Sequence, residues 1–442
     1  MALVASLWPA AAQAGVGRLD PSYGTRGIAS SPSGTAGFEP GVELTVDGAA
    51  AFVADGDEGN AVSLRPNGSR DTGLGQEGLF SFKPGSTIEG AEGQEFFPDS
   101  VTADHGGRIL VFGRAIEMSR QTQGPEGSAV VPSRAAVLRY GADGRLDPSF
   151  GEGKGYTIGN FGLAPERQTG LPRISVMSGR VDAANRPVFV VGAAEPVPGC
   201  EGRGSVAASP RAVARLTAAG LSDPSFEGGG TSPIFGVGEA LTLDLDGRGR
   251  PVVAVGRGGS YAADCGEGSV LYRFRGDGKP MTSFGPHGMR EFKTMHLAVV
   301  EPSGGTLLSV RRGRTLEVGS VGADGVRDRG FGQGGVARVR LPSESGLRIR
   351  PAAVDSHGRI LLAGHRRSPG SFVVGRLLPD GRLDRSLGKN GWIQARLPKG
   401  QEVSDSTAAL DSKGRLLVAA FVSSRGLSNG GFAVARFLLG PL

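Results

Sequence analysis

One motif occurs seven times along the chain, and a chain built on seven copies of one unit has few architectures open to it. It reads Gly17-Arg-Leu-Asp-Pro-Ser-Tyr-Gly24 at its first occurrence and Gly144-Arg-Leu-Asp-Pro-Ser-Phe-Gly151 at its third, with other copies starting at Gly68, Gly220, Gly278, Gly325 and Gly381. Its fourth position holds Asp20, Asp71, Asp147, Asp223, Asp328 and Asp384, and Met281 once. Successive copies lie 51, 76, 76, 58, 47 and 56 residues apart, and 58 residues follow Asp384, so seven copies give seven units with no large remainder.

A second motif falls between the copies and reads as a hairpin turn opening into a buried strand. Asp104-His-Gly-Gly-Arg-Ile-Leu-Val-Phe-Gly113, Asp355-Ser-His-Gly-Arg-Ile-Leu-Leu-Ala-Gly364 and Asp411-Ser-Lys-Gly-Arg-Leu-Leu-Val-Ala-Ala420 are its clearest forms. Pro187 and Pro251 fall at the first strand residue, where no ladder N–H is needed, and Asp and Gly suit the turn because they tolerate positive φ. A third element closes each unit, as in Phe372-Val-Val-Gly-Arg-Leu377. The last unit contains four short β-rich segments, at 392–397, 406–410, 416–422 and 431–437, and almost nothing reads as an amphipathic helix. The pattern predicts an all-β chain: a single seven-bladed β-propeller over residues 15–442, with four antiparallel strands per blade. A chain that begins on the Asp motif and ends on the strand preceding it lets the two ends meet and close the ring.

The three-part pattern, an L-D-x-S-F-G turn, a D-G-R-I-L-V-A-G hairpin and an F-x-V-A-R-L strand at roughly 60-residue spacing, resembles the delta-60 repeat family of bacterial proteins. The resemblance covers nearly the whole mature chain. It implies a propeller-like, often exported repeat protein and carries no catalytic residue. Met281 and Glu227 depart from the pattern.

The net charge of +6 is not a nucleic-acid signature: 42 of the 49 basic residues are Arg, spread along the whole chain with no basic stripe or tail. No nucleic-acid partner is therefore expected. The apolar opening ends in Ala12-Gln13-Ala14, a small-x-small pattern like a secretory cleavage site, so residues 1–14 are expected to be a signal-peptide remnant and the protein secreted or cell-envelope, extracytoplasmic. No run approaches 18 apolar residues, so no membrane span is expected, and the protein should be a monomer. Cys200 and Cys265 follow equivalent strands of adjacent units, and in an oxidising compartment they are expected to form a disulfide.

The repeated Asp reads as a turn residue whose carboxylate accepts local backbone N–H groups, and Phe150, Phe226, Phe284 and Phe331 as plugs between blades. Five arginines recur on the closing strand: Arg139, Arg215, Arg273, Arg376 and Arg436. They line the channel as an anion-binding ring, pair with the Asp eight residues later or lie on a solvated face, and Arg273 persists although Met281 has replaced that Asp. Glu89, Glu92, Glu95 and Asp99 lie in an expected acidic loop that could hold Ca²⁺; otherwise no cofactor is expected. Metal and nucleophile motifs are absent, and Ser428, in Gly426-Leu-Ser-Asn-Gly430, lacks a following histidine. The extra length of the second and third units should protrude as loops near 84–98, 117–133 and 195–210, which is where recognition concentrates on a rigid scaffold. The function expected is a noncatalytic binding scaffold for a protein or glycan. A channel-sited lyase or glycan hydrolase and a structural cell-envelope protein are the alternatives.

Overall fold

The computed structural model describes residues 17–32, 42–47, 50–55, 60–73, 79–81, 86–123, 129–164, 173–193, 211–234, 241–257, 268–292, 296–342, 346–424 and 430–440. Its regular structure is almost entirely strand, arranged in antiparallel sheets that follow one another along the chain. The first joins Val42–Asp47, Ala50–Asp55, Asn60–Leu64 and Leu79–Ser81. The second joins Ala91–Ala103, Ile109–Ile116, Ser133–Tyr140 and Tyr156–Gly159, with Ser86–Ile88 added beside its first strand. Then come sheets beginning at Ile174–Val181, Leu241–Leu245, His296–Val300 and Leu347–Val354, each of four strands in chain order. The last contains Gln401–Leu410, Leu416–Ser424 and Gly430–Leu438.

The chain's own beginning completes that last sheet. Ile28–Pro32 pairs antiparallel with Gly430–Leu438, Ile28 opposite Ala435, and Arg18–Leu19 pairs with the end of the same strand. The frame expected for the last unit is corrected in one respect: Trp392–Arg396 pairs with Ser371–Leu377 and so closes the preceding sheet. The Asp motif is the turn between third and fourth strands, so each fourth strand follows its motif.

Second strands carry the apolar runs because both of their faces are covered; all of Pro187–Ala193 is buried. Core clusters are shared between neighbouring sheets. Phe112 of the second sheet packs with Phe189 of the third, Leu271 of the fourth with Leu308 of the fifth, and Leu361 of the sixth with Val418 of the last. Leu64 of the first sheet shares a cluster with Leu417 and Phe432 of the last. First strands touch their neighbours in the same cyclic order, and Val42–Asp47 contacts both Ala91–Ala103 and Gln401–Leu410.

One of the expected protruding segments is corrected. Residues 86–103 form a hairpin of the second sheet, because Ile88 and Phe96 turn inward and are 3% and 2% exposed. Within 117–133 the chain makes one 3₁₀ turn, Met118–Arg120, and a small hairpin of Thr122–Gln123 with Ala129–Val130. The connection 195–210, Cys200, Cys265, Ser428 and residues 1–14 lie outside the described residues. No helix among the described residues is long and apolar enough to cross a membrane.

Candidate functional site

The repeated Asp does what its turn position requires. Asp223 Oδ1 accepts hydrogen bonds from the Ser225 amide at 2.9 Å and hydroxyl at 2.6 Å, and Asp20, Asp147 and Asp384 hold Ser22, Ser149 and Ser386 in the same way. In Asp71 and Asp328 the acceptor takes the Gly73 and Gly330 amides. Burial pushes the Asp223 carboxyl up, but Ser225 and the Arg215 guanidinium outweigh it and hold the group below the ordinary carboxylate value.

The second oxygen of the carboxylate explains the arginines. Arg215 Nε donates to Asp223 Oδ2 at 2.7 Å, and Arg139–Asp147, Arg376–Asp384 and Arg436–Asp20 repeat the bond at 2.8 Å. Each guanidinium also reaches the next unit, where Arg139 donates to Ala218 O at 2.5 Å, Arg215 to Gly276 O at 2.7 Å, Arg376 to Leu439 O at 2.5 Å and Arg436 to Pro66 O. The motif aromatics cover them, with Phe226 4.5 Å from Arg215 and Tyr23 4.4 Å from Arg436. The same rings press on the next unit's motif glycine: a Cβ on Gly220, at φ +82, would stand 2.7 Å from Phe150. All five arginines are at most 2% exposed, so they sit in joints between sheets instead of presenting charge to a channel.

A second carboxylate extends the joint. Asp182 accepts from the Ala184 and Arg186 amides and from Arg186 Nε, and Arg186 Nη1 lies 3.4 Å from Asp223. Asp104 with Arg108 and Asp411 with Arg415 do the same towards Asp147 and Asp20. Arg273 survives opposite Met281 because its Nη2 donates to Thr306 Oγ1 at 2.6 Å and to Gly304 O. Burial nevertheless pulls that guanidinium down to about 10, opposed by Asp246 and Glu301 and reinforced by Arg250.

The acidic residues of the second unit do not converge. Glu89 is in the turn after Ser86–Ile88, Glu92 and Glu95 are on the long strand, and Asp99 sits at its bulge, 3.6 Å from Arg114. Among the described residues no three His, Cys, Asp or Glu side chains are grouped to hold a metal ion.

Chemistry peculiar to one place gathers elsewhere, in a cavity of about 530 Å³ on the first strands of the last two sheets. Arg348 and Arg350 alternate with buried Leu347 and Ile349, so both guanidiniums fall on one face of the strand. Both are exposed, and neither has a hydrogen-bond or ion-pair partner among the described residues. Arg311 enters from the fifth sheet and donates to Leu347 O, while Asp405 and Ser406 enter from the last sheet. The register there shifts between Val403 and Ser406, a bulge that re-aims side chains. His365, 2% exposed, has Nδ1 2.7 Å from Ser406 Oγ. The sequence reading passed over this cluster. Its only signal was the Arg348-Ile-Arg350 alternation, which no other first strand carries.

Burial pushes His365 down to about 4; Asp405 opposes the shift, and Arg348, Arg350 and Arg367 add to it. A histidine so depressed binds its proton more tightly in the unfolded chain. Stability is therefore expected to fall, by up to about 3 kcal/mol, as pH drops from about 6.5 to 4. Urea unfolding of wild type and His365→Gln across that window measures it: the wild-type slope should be positive with pH and the variant's flatter.

A protein family described as "Domain of unknown function (DUF5122) beta-propeller" matches residues 127–150, which span the third strand and Asp motif of the second sheet. No curated protein matches the chain in sequence. Among solved structures, the chain is similar to a streptogramin B lyase, with 11% identity over 92% of this chain and 97% of that one and a TM-score of 0.44. It is similar also to a protein of unknown function from Dyadobacter fermentans, with 14% identity over 78% and 95% and a TM-score of 0.39. The WD40 domain of Toxoplasma gondii coronin gives 9% identity over 94% and 87%, with a TM-score of 0.42.

Proposed function

We propose that the chain is a noncatalytic binding module, a closed seven-bladed propeller of delta-60-type repeats that receives its ligand at the cavity around Arg348 and Arg350. Seven Asp-motif turns and the cyclic order of first-strand contacts support the closed ring. One observation carries the functional reading. The repeated Arg side chains and the four Asp that face them are engaged in joints, whereas the paired guanidiniums of Arg348 and Arg350 belong to one unit, stand exposed and have no partner among the described residues. A scaffold that spends its repeated charges on itself leaves recognition to residues that do not repeat.

The Ser406–His365 contact is the feature a hydrolase reading would use, yet a buried histidine held near 4 is a weak base at neutral pH. A melting-temperature screen of mixed neutral and charged oligosaccharides and peptides, followed by chromatography of the incubated compounds, tests the proposal. At least one compound should raise the wild-type melting temperature, fail to raise that of Arg348→Glu/Arg350→Glu, and be recovered unchanged. Conversion of a compound that stops in Ser406→Ala contradicts the noncatalytic reading.

A further inference from the structure

We infer that this cavity takes a singly charged carboxylate on a hydroxylated ring, a uronic-acid unit of an acidic oligosaccharide; the inference rests on the cavity being the binding site. The cationic wall is made of arginine alone. A planar guanidinium offers two parallel N–H donors that match a carboxylate edge to edge, which a lysine point charge does not. Arg348 and Arg350 stand two residues apart on one strand, so their Cα atoms are about 6.6 Å apart and their forks can close on one carboxylate from both sides. Arg311 is already bound to Leu347 O and Gly313 O, and steadies the strand that carries them.

The facing wall decides between anions. Asp405 stands on it with Ser406, which His365 of the arginine-bearing sheet contacts. A carboxylate there disfavours phosphate or sulfate, which would bring two charges or a dense polyanion close to it, and it accepts hydroxyl donors well. One negative charge at the arginine pair and neutral hydroxyls towards Asp405 and Ser406 satisfy both walls. A volume of about 530 Å³ lies within the range of cavities that enclose a compact small ligand.

The test is calorimetric titration of the full chain with three probes: trigalacturonate, triglucuronate and trimannuronate. Each is run beside its methyl ester, inorganic phosphate and triglutamate. At least one uronate should bind, and its methyl ester about tenfold or more weaker. Arg348→Ala/Arg350→Ala should lose about tenfold or more while melting as wild type does, since both side chains are exposed. Asp405→Asn should gain affinity for phosphate. Equal binding of acid and ester overturns the carboxylate assignment but leaves the cavity as a binding site. Undiminished binding by the double arginine variant overturns the site itself. Tighter binding of triglutamate or phosphate than of every uronate, or no uronate binding at millimolar concentration, overturns the ligand class.

Discussion

Asp223→Ala is expected to lower the unfolding free energy by about 3–5 kcal/mol, because it leaves a buried guanidinium without its counter-charge. Arg215 is 2% exposed, Asp223 4%, and their 2.7 Å bond lies beneath Phe226 in the joint to the next unit. Gly276 O and Ser225 Oγ are the acceptors that remain, and both are uncharged. Asp328→Ala is the control. Asp328 is exposed and has Ser320 where Asp20, Asp147, Asp223 and Asp384 face an Arg, so its loss removes a turn bond to Gly330 and should cost about 1 kcal/mol. Urea denaturation of both variants reads the difference; equal costs would show that the joints do not depend on the ion pair.

Removing residues 1–32 should destabilise the fold by more than about 5 kcal/mol, since two large losses coincide. The deletion strips Tyr23, 1% exposed, from the cluster joining the first and last sheets, and it takes Asp20 from Arg436. It also uncovers Gly430–Leu438, whose unpaired edge becomes a template for aggregation. Thermal melting with light scattering should show a much lower transition and early aggregation; a transition within a few degrees of wild type would contradict the role given to the N-terminal segment.

The turns were legible because their chemistry is local: an Asp followed two residues later by Ser or Gly specifies its own hydrogen bonds. The arginines were ambiguous because a single exception carried too much weight. Arg273 opposite Met281 argued against pairing, and only the fold reveals that Thr306, 33 residues on, accepts from its Nη2 while the Nε that bonds Asp in other units is left without a partner. The stretch around 86–98 reads as a loop from its Glu and Gly content. Its inward-turned Ile88 and Phe96 make it a hairpin, a distinction that depends on which face meets the sheet. The cavity was illegible for a related reason, since it assembles Arg311, Arg348, Arg350, His365 and Asp405 from three sheets and no spacing rule connects them.

Whether the two ends of the chain meet in one ring is read most directly by a cysteine pair at Ile28 and Ala435, with Cys200 and Cys265 replaced by serine. Arg436 N donates to Gly27 O at 3.0 Å, so the adjacent Ile28–Ala435 pair is non-hydrogen-bonded, with Cα atoms about 4.5 Å apart, inside the range a disulfide spans. Closure predicts rapid, quantitative intramolecular oxidation of the folded monomer, with faster gel mobility and no free thiol. A folded monomer that keeps two reactive thiols under the same oxidation would contradict it.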